Sequence, residues 1–170
     1  AARAVSLRAG EALAGVGLAV AFGLAQGALY FGADLCDANA RRDLVARVAE
    51  RVAQLGAYPD GETLWYNGHW EFQYYADQAG MRPVIAGRSQ LRPQDWLVLS
   101  EGTNQPPLSF PADRFRQQAE LVAVSRWPWS TMPLYYDGPV PLRRQPETQT
   151  RARIFRVTRD WVSQLQVSPP

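Results

Sequence analysis

At 170 residues and a formal net charge of +2, the chain has room for one domain of ordinary size and is too nearly neutral to argue for a nucleic-acid partner. Its one cysteine, Cys36, excludes an internal disulfide and a cysteine metal cluster, and its one histidine, His69, excludes a multi-histidine site. All 18 basic residues are arginine, which reads as genomic base composition, and an opening Ala-Ala-Arg without methionine reads as a piece of a longer protein.

From Ala12 to Ala33 there is no charged residue, and Gln26 is the one strongly polar side chain in 22 positions. At about 1.5 Å per residue, such a helix crosses a hydrocarbon core of about 30 Å. Gly15, Gly17, Gly23 and Gly27 are small positions at which membrane helices approach closely, so the span is expected to pack against other spans. A secretory signal fits less well, because no clear small-x-small cleavage site precedes Cys36, and Asp34 breaks the apolar box of a lipoprotein signal. A buried helix of a soluble domain is the remaining alternative. Arg3 and Arg8 before the span, with Asp34 and Asp37 after it, put the N-terminal end in the cytoplasm and the rest outside it. In a Gram-negative cell that is the periplasm.

Asp37 to Leu55 turns amphipathic, with Val45, Val48, Val52 and Leu55 on one stripe and Asp43 and Arg47 spaced as an ion pair. Thr63 to Tyr66 reads as a short strand and Asn67-Gly68 as a tight turn; a helix from His69 to Ala79 is stopped by Gly80. Phe72, Tyr75, Ala76 and Ala79 share one face of that helix, and Trp70, Tyr74 and Asp77 another, so it is expected to lie between a sheet and something else. Pro83 to Ala86 suggests a second short strand, and the apolar run Trp96 to Ser100 a strand covered on both faces. Glu101 to Pro111, with three prolines, is loop. A short helix is expected at Asp113 to Gln118, a strand at Glu120 to Arg126, and a half-exposed edge strand at Arg153 to Thr158. Together these imply an α/β fold: one N-terminal transmembrane helix (1–33), then a small soluble domain (34–161) with a mostly parallel sheet flanked by helices, then a flexible tail (162–170).

His69 follows a strand at a helix start, where open α/β sheets place ligands; a histidine that caps its own helix is the simpler reading. Trp65, Trp70, Tyr74 and Tyr75 could stack on a sugar ring or sit at a membrane interface, or else serve as core and docking surface. Glu71 and Asp77, six positions apart, do not make an acid/base pair. Arg143, Arg144, Arg151, Arg153, Arg156 and Arg159 concentrate positive charge suited to an anionic membrane or a phosphate, unless they are simply a solvated face. No glycine-rich phosphate loop, nucleophile elbow or metal-ligand spacing occurs, so no catalytic residue, metal or cofactor is assigned.

The run Gly68-His69-Trp70-x-Phe72-Gln73-Tyr74-Tyr75, followed by Gly80-Met81-Arg82, resembles a segment in the C-terminal soluble region of certain bacterial membrane glycosyltransferases. These are multi-span enzymes, like the protein mannosyltransferases and the lipid A aminoarabinose transferase, that take sugars from polyprenyl-phosphate carriers. The resemblance runs from about Ala12 to Trp161 and implies a non-catalytic, membrane-anchored periplasmic domain at the inner membrane. Such a domain would cover the active-site cavity and help to hold a lipid, glycan or protein acceptor. Gly68, His69, Trp70, Tyr74, Arg153, Arg156 and the loop Glu101 to Pro111 are the candidate contacts. The family's catalytic acidic residues lie in an early loop between the first spans, which this sequence does not contain. The implied partners are membrane lipid, other transmembrane helices of the same parent protein, and a polyprenyl-phosphate sugar or glycan acceptor. A single-span periplasmic binding module without transferase activity is the alternative, and a free-standing soluble α/β enzyme a third.

Overall fold

In the computed structural model the described residues are 2–56, 61–68, 71–101, 108–125, 127–130, 143–144 and 148–164. The chain opens with a single helix, α1 (Ala2–Gln54), which at about 1.5 Å per residue is about 80 Å long. No break falls at Ala33. The uncharged stretch and the amphipathic stretch, read as separate elements from their composition, are one continuous rod. From Leu13 to Leu29 every residue is exposed: Phe22 is 70% exposed, and Leu13, Leu18 and Leu24 stand equally free. Burial begins at Ala33 and recurs at Asp37, Leu44, Val45, Val48 and Val52, an inward stripe at helical spacing. The helix is long and apolar enough to cross a membrane, and its apolar part is not the core helix of the domain.

The α/β class holds. β1 (Leu64–Asn67), α2 (Glu71–Gln78) and β2 (Arg82–Pro83) form a parallel strand–helix–strand unit, with Tyr66 beside Pro83. After the short β3 (Gln90–Leu91), β4 (Trp96–Ser100) returns to the other side of β1, also parallel, with Leu64 beside Trp96 and Asn67 beside Leu99. The expected mostly parallel character stops there. β5 (Phe115–Ser125) and β8 (Thr148–Val157) add antiparallel, giving a mixed five-stranded sheet in the order β2-β1-β4-β8-β5. The hairpin-like pair β6 (Trp129–Ser130) and β7 (Arg143–Arg144) stands apart, as does β3 with β9 (Trp161–Val162).

Several local expectations are corrected. Residues 113–118 do not form a helix: a turn leads straight into β5, whose Phe115 is drawn into the core while Arg116 and Gln117 stay exposed. Arg153 to Thr158 is not an edge: it belongs to β8, which lies between β4 and β5. Its charges misled the pattern because Arg151 and Arg153 are matched by Glu101 and Glu120 on neighbouring strands. The Asp43–Arg47 pair does not form either: Asp43 pairs with Arg42, and Arg47 donates to the Val122 carbonyl at 3.0 Å, tying α1 to β5. The second strand is Arg82–Pro83 rather than Pro83 to Ala86. Within the segment expected to be a flexible tail, Ser163 is buried and hydrogen-bonds Ile85 and Ser89.

Each sheet face has its own core. Leu44, Val48 and Val52 of α1, with Phe72 and Ala76 of α2, pack against Tyr66, Val98 and Ile154. On the other face Leu91, Leu97, Phe115, Val157 and Trp161 come together, with Phe110, Phe115 and Trp161 in mutual ring contact. β4 is covered on both sides, as its unbroken apolar run requires.

Candidate functional site

Open α/β sheets bind ligands beyond the carboxyl ends of parallel strands, where neighbouring connections leave in opposite directions. Here that point lies between β1 and β4. The chain leaves β1 through α2 toward one edge of the sheet and leaves β4 toward β5 at the other edge. Asn67, Gly68, Ser100 and Glu101 stand at these strand ends, with Asn67 and Ser100 buried.

Gly68 is held there by sterics. A Cβ on it would lie 2.5 Å from Cδ1 of Phe72, whose ring fills the space over the turn and is itself buried. The glycine therefore lets the first turn of α2 close onto the end of β1. Tyr66 and Asp77 fix the other end of α2. The Tyr66 hydroxyl donates to Asp77 Oδ1 at 2.7 Å, and Gly80, at φ +76°, ends the helix as its position in the sequence suggested. Burial foremost, then the Asp77 carboxylate, push the Tyr66 phenol well above the ordinary 10.0. The unfolded phenol ionises near its ordinary value while the native one stays neutral. Stability from this group is therefore complete below that pH and is lost as pH rises beyond it. The melting temperature of the wild type is expected to drop from about pH 10 upward more steeply than that of Tyr66→Phe, measured by circular dichroism.

The candidate residues separate by register. Asn67, Leu99, Arg153 and Glu120 lie in one row across the sheet, which puts Arg153 at the same end as Gly68, two strand spacings away or about 10 Å. Arg153 Nε lies 3.5 Å from Glu101 Oε1, and Arg151 reaches Glu101 and Glu120. This end of the sheet thus carries the Glu101 carboxylate between two guanidinium groups, a donor–acceptor set suited to sugar hydroxyls more than to a bare phosphate. Tyr74 is 59% exposed on the outer side of α2, edge-on to Tyr75. Phe72 and Ala76 are buried and Tyr75 half-buried, whereas Ala79 is exposed. His69 and Trp70 lie outside the described residues.

Arg156 is at the opposite end of the sheet, in the row of Leu64 and Trp96. Its guanidinium grips Glu62 through two nitrogens at 2.9 and 2.6 Å, donates to Gln94 Oε1, and lies 4.5 Å above the Trp96 ring. Glu62 also accepts from Trp96 Nε1, and the neighbouring Asp95 takes the Thr63 N–H, the Trp65 indole and the Arg92 N–H. Gln94 sits at φ +79°, a left-handed conformation that side chains rarely adopt. This is a clamp that closes the base of the sheet. Glu62 and Gln94 had no local signal in the sequence, because their partner Arg156 is far along the chain, and Asp95 has only the Arg92 N–H close by among the three donors above.

Among the described residues no three His, Cys, Asp or Glu side chains gather as metal ligands would. In comparisons with known proteins, no family, no curated protein and no solved structure matches the chain.

Proposed function

We propose that the chain is the non-catalytic, membrane-anchored domain of a glycosyltransferase that moves a sugar from a polyprenyl-phosphate carrier to a lipid, glycan or protein acceptor. The observation that carries this reading is the continuous α1, which joins an exposed apolar half to a half packed on an α/β sheet. A rod without a hinge holds the domain at a fixed height and angle over the bilayer, as a cover over a membrane-embedded cavity requires. Gly15, Gly17, Gly23 and Gly27 have open space around them, which suits close approach by further spans of the same parent protein. The strand ends at Gly68, Ser100 and Glu101, with Arg153 beside Glu101, are the acceptor contact in this reading. His69, Trp70 and Tyr74 are its further candidate contacts. Arg156 drops out as a contact, because its guanidinium is already committed to Glu62, Gln94 and Trp96. In this reading the domain lies on the periplasmic side of the inner membrane, the side that arginines before the span favour.

The test places a photo-reactive residue at Glu101 of the full chain in bilayers containing a labelled polyprenyl-phosphate sugar and a glycan acceptor. Cross-links to sugar-bearing lipid or acceptor, without sugar transfer by the chain alone, are expected. Turnover by the chain alone contradicts the non-catalytic role. A chain that inserts yet cross-links to neither leaves the single-span binding module as the better reading.

A further inference from the structure

The short strand pair β6 and β7 is displaced from the main sheet and packs instead against α1. Its place along the helix is specific. Trp127 Cζ2 lies 3.9 Å from where a Cβ on Gly32 would be, and Gly32 is two residues before Asp34, the first charge after the apolar stretch. At about 1.5 Å per residue, the indole is therefore within a few ångströms of the level at which the span must leave the hydrocarbon. That is the headgroup layer, where tryptophan rings are enriched because one end is apolar and the other can hydrogen-bond. Trp127 and Trp129 are both half-buried and Pro128 between them is exposed. Trp127 Nε1 is itself buried and has no hydrogen-bond partner among the described residues, so the indole presents its apolar body rather than its N–H. The strand register sets Arg144 beside Trp129 and Arg143 beside Ser130, so two cationic residues belong to the same small element. Tryptophan and arginine in one small element beside the end of the span suit an anionic bilayer surface.

We infer that Trp127 to Trp129, with Arg143 and Arg144, form a second membrane contact that lies in the headgroup layer and favours anionic lipid. The inference rests on the reading of residues 12–33 as a membrane span. It adds a point of support beside the helix: the span alone leaves the domain free to rotate about its axis, and a contact to one side fixes which face of the sheet meets the bilayer.

The experiment uses the full chain in vesicles of phosphatidylcholine, with or without phosphatidylglycerol, and brominated lipids as tryptophan quenchers. Flotation after an alkaline wash reports insertion of the span, independently of β6 and β7. Quenching by lipids brominated near the headgroup is expected in the wild type and is lost in Trp127→Phe/Trp129→Phe. Its increase with phosphatidylglycerol is expected to be lost in Arg143→Gln/Arg144→Gln, which keeps both indoles and so does not depend on the aromatic variant folding. A chain that floats, with quenching unchanged in the aromatic variant or with no response to anionic lipid in the wild type, overturns the second contact and leaves the span intact. A chain that does not float overturns the span, and the second contact with it.

Discussion

Replacing Arg156 with alanine is expected to destabilise the soluble domain by about 3–5 kcal/mol, the range for removing one partner of a buried ion pair. The Arg156 and Glu62 side chains are 19% and 11% exposed, so solvent screens the pair little. With Arg156 gone, the Glu62 carboxylate loses both charge-assisted bonds to the guanidinium, and Trp96 loses the cation above its ring. Gln94 loses the partner that helps to hold it at positive φ. Arg156→Lys is expected to recover little, because an ammonium cannot make the forked contact or lie flat on the indole. Urea denaturation of the wild type and both variants, with m-values compared, measures this directly. A loss below about 1 kcal/mol would place Arg156 among surface ion pairs and reopen it as a ligand contact.

The second large effect is expected in the membrane. Phe22 is at the middle of the uncharged stretch and exposed in the structure. Phe22→Arg is expected to cost about 3 kcal/mol of insertion free energy, or roughly a hundredfold in the inserted fraction. The effect should be decisive because the span is rich in alanine and glycine rather than leucine and has little insertion energy to spare. The same substitution leaves the soluble domain alone, since no described part of it contacts position 22. The variant is therefore expected to fail alkaline extraction from membranes while keeping the wild-type denaturation midpoint of the domain. Equal loss of both would mean that the stretch belongs to the folded core.

The sequence made the local elements legible where one period dominates. The uncharged stretch, the Val45–Val48–Val52 stripe, the Phe72–Ala76 face and the doubly covered Trp96–Ser100 strand could all be read from neighbours within a few positions. What escaped depends on partners distant in sequence. β8 looked like an edge because nothing near Arg151 and Arg153 reveals that Glu101 and Glu120 lie beside them. Residues 113–118 looked helical because a polar run before a strand has no period of its own. The unbroken passage of α1 through Ala33 was also hidden, since a change from lipid-facing to sheet-facing surroundings alters the side-chain pattern without interrupting the backbone hydrogen bonds. Of the candidate site, Gly68 drew attention through an expected Asn-Gly turn, but Asn67 belongs to β1 and neither residue has positive φ; the reason for the glycine, the Phe72 ring, appears only in three dimensions. Arg156 was singled out for its charge and proves to be part of a clamp.

Amide hydrogen exchange of the full chain in lipid bilayers, followed residue by residue over 13–54, tests most directly whether one helix joins the bilayer to the sheet. Protection running unbroken from Leu13 through Ala33 to Gln54, and collapsing over 13–32 alone when lipid is removed, is the predicted result. Rapid exchange around Ala33 in bilayers, or full protection of 13–32 in plain buffer with the chain monomeric, would contradict it.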